Sequence, residues 1–119
     1  MAVIHTSRHP VAIKSAPIDP DSTDWVFFSY EDWLREGETI VAHEALISGG
    51  TVETASVFIG DLTDMEGTTY AQTYGVQFSP TEGQCDVTIT HRISTTTTDS
   101  PALARLNIDH TVTVPVVSL

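Results

Sequence analysis

Residues 24–47 read DWVFFSYEDWLREGETIVAHEALI, two strand-like runs joined by a short link that carries Trp33. The first run, Trp25 to Tyr30, is dense in aromatic and β-branched side chains, which suit a pleated, half-buried surface, so it predicts a strand. In Tyr30 to Glu38 the charges crowd around Trp33 and Leu34, and Gly37 frees the backbone before the apolar run resumes at Ile40. That link has room for one helical turn at most.

The same kind of run recurs at regular intervals: Val11–Lys14, Trp25–Tyr30, Thr39–Ser48, Val52–Gly60, Tyr70–Phe78, Asp86–Thr95 and Ala104–Val114. Turn-forming stretches separate most of them, at Gly49-Gly50, DLTDMEGT, SPTEGQ and TTTTDSP. No window sustains an apolar face at i, i+3, i+4 and i+7, which excludes a helical reading. About seven short strands with turns between them predict an all-β fold, an immunoglobulin-like antiparallel β-sandwich. Alternation is cleanest at the end of the chain. Val87, Ile89, His91 and Ile93 interleave with Asp86, Thr88, Thr90 and Arg92, and Leu106, Ile108, His110, Val112 and Val114 interleave with Arg105, Asn107, Asp109, Thr111 and Thr113. One face of each strand is core, and the other is wet.

With 119 residues the chain has length for one core, so residues 11–119 are expected to form a single sandwich domain preceded by an arm, residues 1–10. Residues 1–18 contain Arg8 and Lys14 but no acid, with His5, His9, Pro10 and Pro17, whereas the whole chain has 16 acidic against 5 basic residues and a net charge of −11. A mildly basic arm thus precedes an acidic body, and the extreme N-terminus is expected to reach outward. The negative field repels phosphate backbones and anionic headgroups, which argues against nucleic acid and membrane as partners. No apolar run approaches the ~20 residues that span a bilayer, and the first ten residues lack the pattern of a secretion signal. The single cysteine, Cys85, forms no disulfide within the chain and suits a reducing cytoplasm.

Several groups invite chemistry. His91 and His110 fall on the apolar faces of strands expected to pair, where they are read as satisfied histidines at the core margin rather than as metal ligands. Asp19, Asp21 and Asp24 in one loop and Asp61, Asp64 and Glu66 in another are carboxylate-rich, but neither follows the EF-hand order, so they read as turns. Ser29, Ser48 and Ser79 lack a nucleophile-elbow context, Cys85 has no adjacent base, and no glycine-rich phosphate cradle is present. The chain is therefore expected to be no enzyme and to need no cofactor. Trp25 is expected in the core, while Trp33 is either a lid over the core or an exposed anchor for a partner.

In its order of motifs the chain resembles small bacteriophage virion proteins of the fiber-tail adaptor type. The matching pieces are Asp19-Pro-Asp21, Trp25–Tyr30, Asp32-Trp33-Leu34, Gly37-Glu38-Thr39-Ile40, Asp86–Thr95 and Leu106–Val114, about nine tenths of the chain in extent. The chain departs from that pattern at TTTTDSP, where those proteins carry a glycine-containing turn, and in its arm and its last segment, PVVSL. The resemblance implies a non-enzymatic virion subunit, assembled in the host cytoplasm. It would sit on the tail or neck in several symmetric copies and contact tail, portal-proximal adaptor or fiber subunits. His5, Arg8, His9 and Trp33 are the candidate partner contacts. A capsid decoration protein and a carbohydrate-binding or adhesion module are the alternatives.

Overall fold

The computed structural model describes residues 2–5, 13–14, 22–63, 66–97 and 104–116. They form eight strands: β1 (Ala2–His5), β2 (Ile13–Lys14), β3 (Asp24–Ser29), β4 (Glu38–Ser48), β5 (Gly50–Thr63), β6 (Thr69–Pro80), β7 (Asp86–Thr97) and β8 (Ile108–Pro115). The fold is all-β and the two sheets make a sandwich. One sheet runs β1-β3-β6-β5 and the other β2-β8-β7-β4. Each holds three long antiparallel strands, and β1 and β2 add to them in parallel, on β3 and β8 respectively. The expected arm therefore divides: Ala2–His5 is a sheet strand rather than a free end, while Arg8 and His9 lie outside the described residues.

Alternation places the core. Val87, Ile89, His91 and Ile93 of β7 and His110, Val112 and Val114 of β8 are buried, and they face Val26, Phe28 and Tyr30 from the β3 side and Tyr74, Val76 and Phe78 from β6. Such burial of apolar surface is the main favourable term in folding. Parity in β3 runs against the expectation for the tryptophans. Inward positions are 26, 28 and 30, so Trp25 lies on the outer face, half-buried and stacked on Phe27 with centroids 5.8 Å apart. Trp33, in the turn after β3, is the buried one, at 1 % exposure. That turn is a single helical turn: the amides of Trp33 and Leu34 both donate to the Tyr30 carbonyl, at 3.1 and 3.0 Å.

Three breaks in alternation shape the edge. In β4 the register slips between Ile40 and Ala42, so Val41 bulges outward and the inward positions change from Glu38 and Ile40 to His43, Ala45 and Ile47. In β5 a slip between Thr54 and Val57 turns Ser56 inward. A further slip at Gly60, with φ at 86°, carries β5 beyond its expected end to Thr63. Between β4 and β5 only Gly49 intervenes, and there the chain passes from one sheet to the other.

Candidate functional site

A polar and aromatic seam crosses the sandwich interior. At its mouth His43 of β4 is exposed, and its Nδ1 lies 2.7 Å from the Ser56 Oγ of β5. Ser56 Oγ is 2.6 Å from His91 Nε2, and His91 Nδ1 is 2.6 Å from the Tyr30 hydroxyl. Tyr30 then meets His110 edge-on at 5.1 Å, and His110 meets Trp33 at 5.3 Å. Beyond Trp33 the Arg105 guanidinium stacks on the indole, 3.4 Å from its centroid, and ends on the Glu38 carboxylate.

Glu38 is fully enclosed, its side chain showing no exposure. Arg105 donates to both carboxylate oxygens, Thr95 donates its hydroxyl at 2.5 Å, and the Arg35 amide donates at 3.0 Å. Burial alone pushes this carboxyl up. The bonds from Arg105, Thr95 and Arg35 outweigh it and hold the group well below the usual carboxylate range. Arg105 also donates to the Trp33 carbonyl at 3.0 Å, so one guanidinium ties the β3–β4 turn to the segment before β8.

The pairing expected of His91 and His110 is present, for they stand opposite each other across β7 and β8. Their setting differs from the expected core margin. His91 is fully buried with both nitrogens bonded, whereas His110 is 4 % exposed and neither of its nitrogens has a hydrogen-bond partner among the described residues. Burial, with the neighbouring His43 and His110, pushes His91 down to about 3. Burial and the Arg105 charge, partly offset by Asp109, push His110 down to about 4. Both therefore fold neutral. Their contribution to stability is complete above about pH 6.5, where the unfolded imidazoles are neutral too, and is lost as the pH falls towards 4 and 3. Urea titrations between pH 7 and 4.5 are expected to show stability falling by several kcal/mol, with H110F much flatter over that range. The window lies above the Glu38 contribution, which is lost only below the ordinary carboxylate range.

Ser56, His91 and Tyr30 have the connectivity of nucleophile, base and orienting group. An imidazole that is fully buried and protonates only near pH 3 is too weak a base to draw a serine proton at neutral pH, so the line serves structure. Beside it an open cleft of about 280 Å³ is lined by Ala42, His43, Glu44, Arg92, Ser94 and Asn107. Its guanidinium is already engaged, at 2.7 Å with Asp109 and 3.6 Å with Glu44, which leaves little positive charge for an anionic ligand. Among the described residues no three His, Cys, Asp or Glu side chains gather as a metal site. Of the two acidic loops, Asp24 bonds to the Trp25 amide at 2.7 Å, Asp61 belongs to β5, and Asp19, Asp21 and Asp64 lie outside the described residues.

The surface feature that stands out is the β4–β5 edge. Five of the six exposed large hydrophobic side chains belong to these two strands: Val41, Leu46, Val57, Phe58 and Ile59. Phe27, Gly75 and Val57 form one row across the sheet and Phe28, Tyr74 and Phe58 the next, so Val57 lies on the outer face and Phe58 on the inner one. Phe58 rests on Tyr74 with ring centroids 5.1 Å apart while remaining 54 % exposed. Of the candidate partner contacts, Trp33 is enclosed within the single chain, which removes it as an anchor. His5 lies in β1, and Arg8 and His9 are outside the described residues. Nothing in the alternation of β5 marks the patch, because it depends on a bulge. The apolar triplet Val57-Phe58-Ile59 next to Gly60 was the available signal. No family model matches the chain, and neither a curated protein nor a solved structure shows significant similarity to it.

Proposed function

We propose that the protein is a non-enzymatic structural subunit of a bacteriophage virion, a tail or neck adaptor that helps to attach fibers or other appendages, and that it docks through its β4–β5 edge. The observation that carries the docking surface is the concentration of exposed apolar side chains on two adjacent edge strands, of 11 and 14 residues. A long edge with apolar side chains invites pairing with another chain, and soluble proteins normally blunt such edges. A neighbour's strand laid along β5 would satisfy its outward amides and carbonyls and cover Val57, Phe58 and Ile59. The charge of −11 keeps free subunits apart until they meet a neighbour in several symmetric copies, and it disfavours nucleic acid and membrane. The motif resemblance supplies the virion setting.

The same reading takes the sandwich as immunoglobulin-like. The orders β1-β3-β6-β5 and β2-β8-β7-β4 correspond to A-B-E-D and A′-G-F-C, with the sheet change between β4 and β5 falling between C and D. The parallel pairing of β1 with β3 departs from an all-antiparallel arrangement.

Phe58→Asp tests the docking edge. The ring is half in solvent, so the variant is expected to unfold within a few degrees of the parent chain, yet its copy number in purified particles should fall at least about tenfold, since a carboxylate buried in an apolar contact is strongly disfavoured. Normal incorporation would remove the edge from the proposal.

A further inference from the structure

We propose that Tyr30, His91, Ser56 and His43 form a one-way hydrogen-bond relay that makes the exposed His43 a proton-operated latch between β4 and β5. Three contacts of 2.6, 2.6 and 2.7 Å join the four groups in sequence from the core to the surface. Their direction follows from the buried end. Tyr30 shows no exposure, and its enclosure keeps the phenol protonated, so its O–H must donate. The acceptor that the described residues give it is His91 Nδ1. His91 then carries its proton on Nε2 and donates to Ser56 Oγ. The Ser56 hydroxyl in turn donates to His43 Nδ1, which leaves the His43 proton on Nε2. Reversing the chain would bury the Tyr30 proton without an acceptor, which is the costly way to arrange such a line.

The surroundings of His43 are mixed. Tyr74 of β6 stacks on it at 4.8 Å, and His91 of β7 is 6.2 Å away, ring to ring. Arg92 of β7 and Glu44 of β4 share its cleft, with Arg92 drawn to Asp109 of β8. His110 of β8 touches the relay only through Tyr30.

Histidine is the side chain that changes charge between about pH 5 and 8. A proton added at His43 Nδ1 converts that atom from acceptor to donor. The Ser56 hydroxyl proton then has no acceptor there. If it turns to His91 instead, the His91 proton must move to Nδ1, and the Tyr30 proton is stranded. Either way one bond of the line is lost. Because β4 and β5 belong to different sheets, the loss frees Ser56 at the mouth of the sandwich. The latch holds whatever docks at that edge.

The test is long-range imidazole ¹⁵N NMR on the full-length chain from pH 8 to 5, with amide exchange followed over residues 54–59. At pH 8 His91 and His43 are both expected as Nε2–H tautomers. As His43 becomes charged, the His91 ring signals should shift with the same midpoint, and the β5 amides should exchange about tenfold faster. In S56A, His43 should still titrate while His91 no longer follows. H43Q keeps an acceptor without a titrating group, so its His91 signals and exchange rates should be independent of pH in this range, and it serves equally should S56A fail to fold. An Nδ1–H tautomer of His91 at pH 8, His91 signals unmoved through the His43 midpoint, or His91 following His43 unchanged in S56A would each overturn the relay.

Discussion

Arg105→Ala should lower the stability of the folded chain by about 3–5 kcal/mol, the loss typical of removing one partner from a buried ion pair. The reason is the carboxylate left behind. Glu38 is enclosed on all sides, and Arg105 bonds both of its oxygens, so truncation leaves it only the Thr95 hydroxyl and the Arg35 amide, with the Arg35 guanidinium at 3.4 Å. The indole of Trp33 also loses its guanidinium cover and the Trp33 carbonyl its donor. Arg105→Lys should recover only part of the loss, since an ammonium cannot bond both oxygens in a fixed fork while lying flat on the indole. Equilibrium urea unfolding with tryptophan fluorescence reads the result. Removing both charges together, in E38L/R105L, should cost less than the sum of the two single changes, because no unpaired buried charge remains.

The second large effect is at the passage between sheets. Gly49 has φ at 81°, and a Cβ there would lie 2.4 Å from the Asp86 carbonyl oxygen, which belongs to backbone and cannot swing aside. Gly49→Ala should therefore cost about 3 kcal/mol, of which the left-handed backbone accounts for roughly 1–2 and displacement of β7 for the remainder. Gly83→Ala is the control. Its φ is 83°, yet nothing lies within 4 Å of the added Cβ, so only the backbone contribution should appear. Equal losses at the two glycines would show that the close approach to Asp86 contributes little to stability.

These features differ in how openly the sequence carries them. In β7 and β8 the apolar residues alternate without interruption, so both the buried face and the meeting of His91 with His110 follow from period two. In β3 both faces are aromatic, with Trp25 and Phe27 on one and Phe28 and Tyr30 on the other, so pattern alone does not choose between them. The polar Ser29 on the Trp25 face is the weak clue. It shares that face with Phe27 and is itself buried, bonded to the Ala71 carbonyl at 2.9 Å. The bulges at Val41 and before Val57 occur without glycine, and each reverses the parity of everything after it, which is how Ser56 comes to face the core. Glu38 and Arg105 are 67 positions apart, and Arg105 lies in a non-strand segment, so only tertiary packing brings them together under Trp33. The expected strand from Ala104 in fact starts at Ile108, after Asn107 with φ at 51°.

The central claim is the place of this subunit in a particle, and cryo-EM of virions of the phage that encodes it tests that most directly. The account predicts density for a two-sheet domain at the tail or neck, in symmetric copies, with Val57, Phe58 and Ile59 covered by a neighbouring chain. Density on the capsid lattice, a β4–β5 edge facing solvent in every copy, or particles without this chain would contradict it.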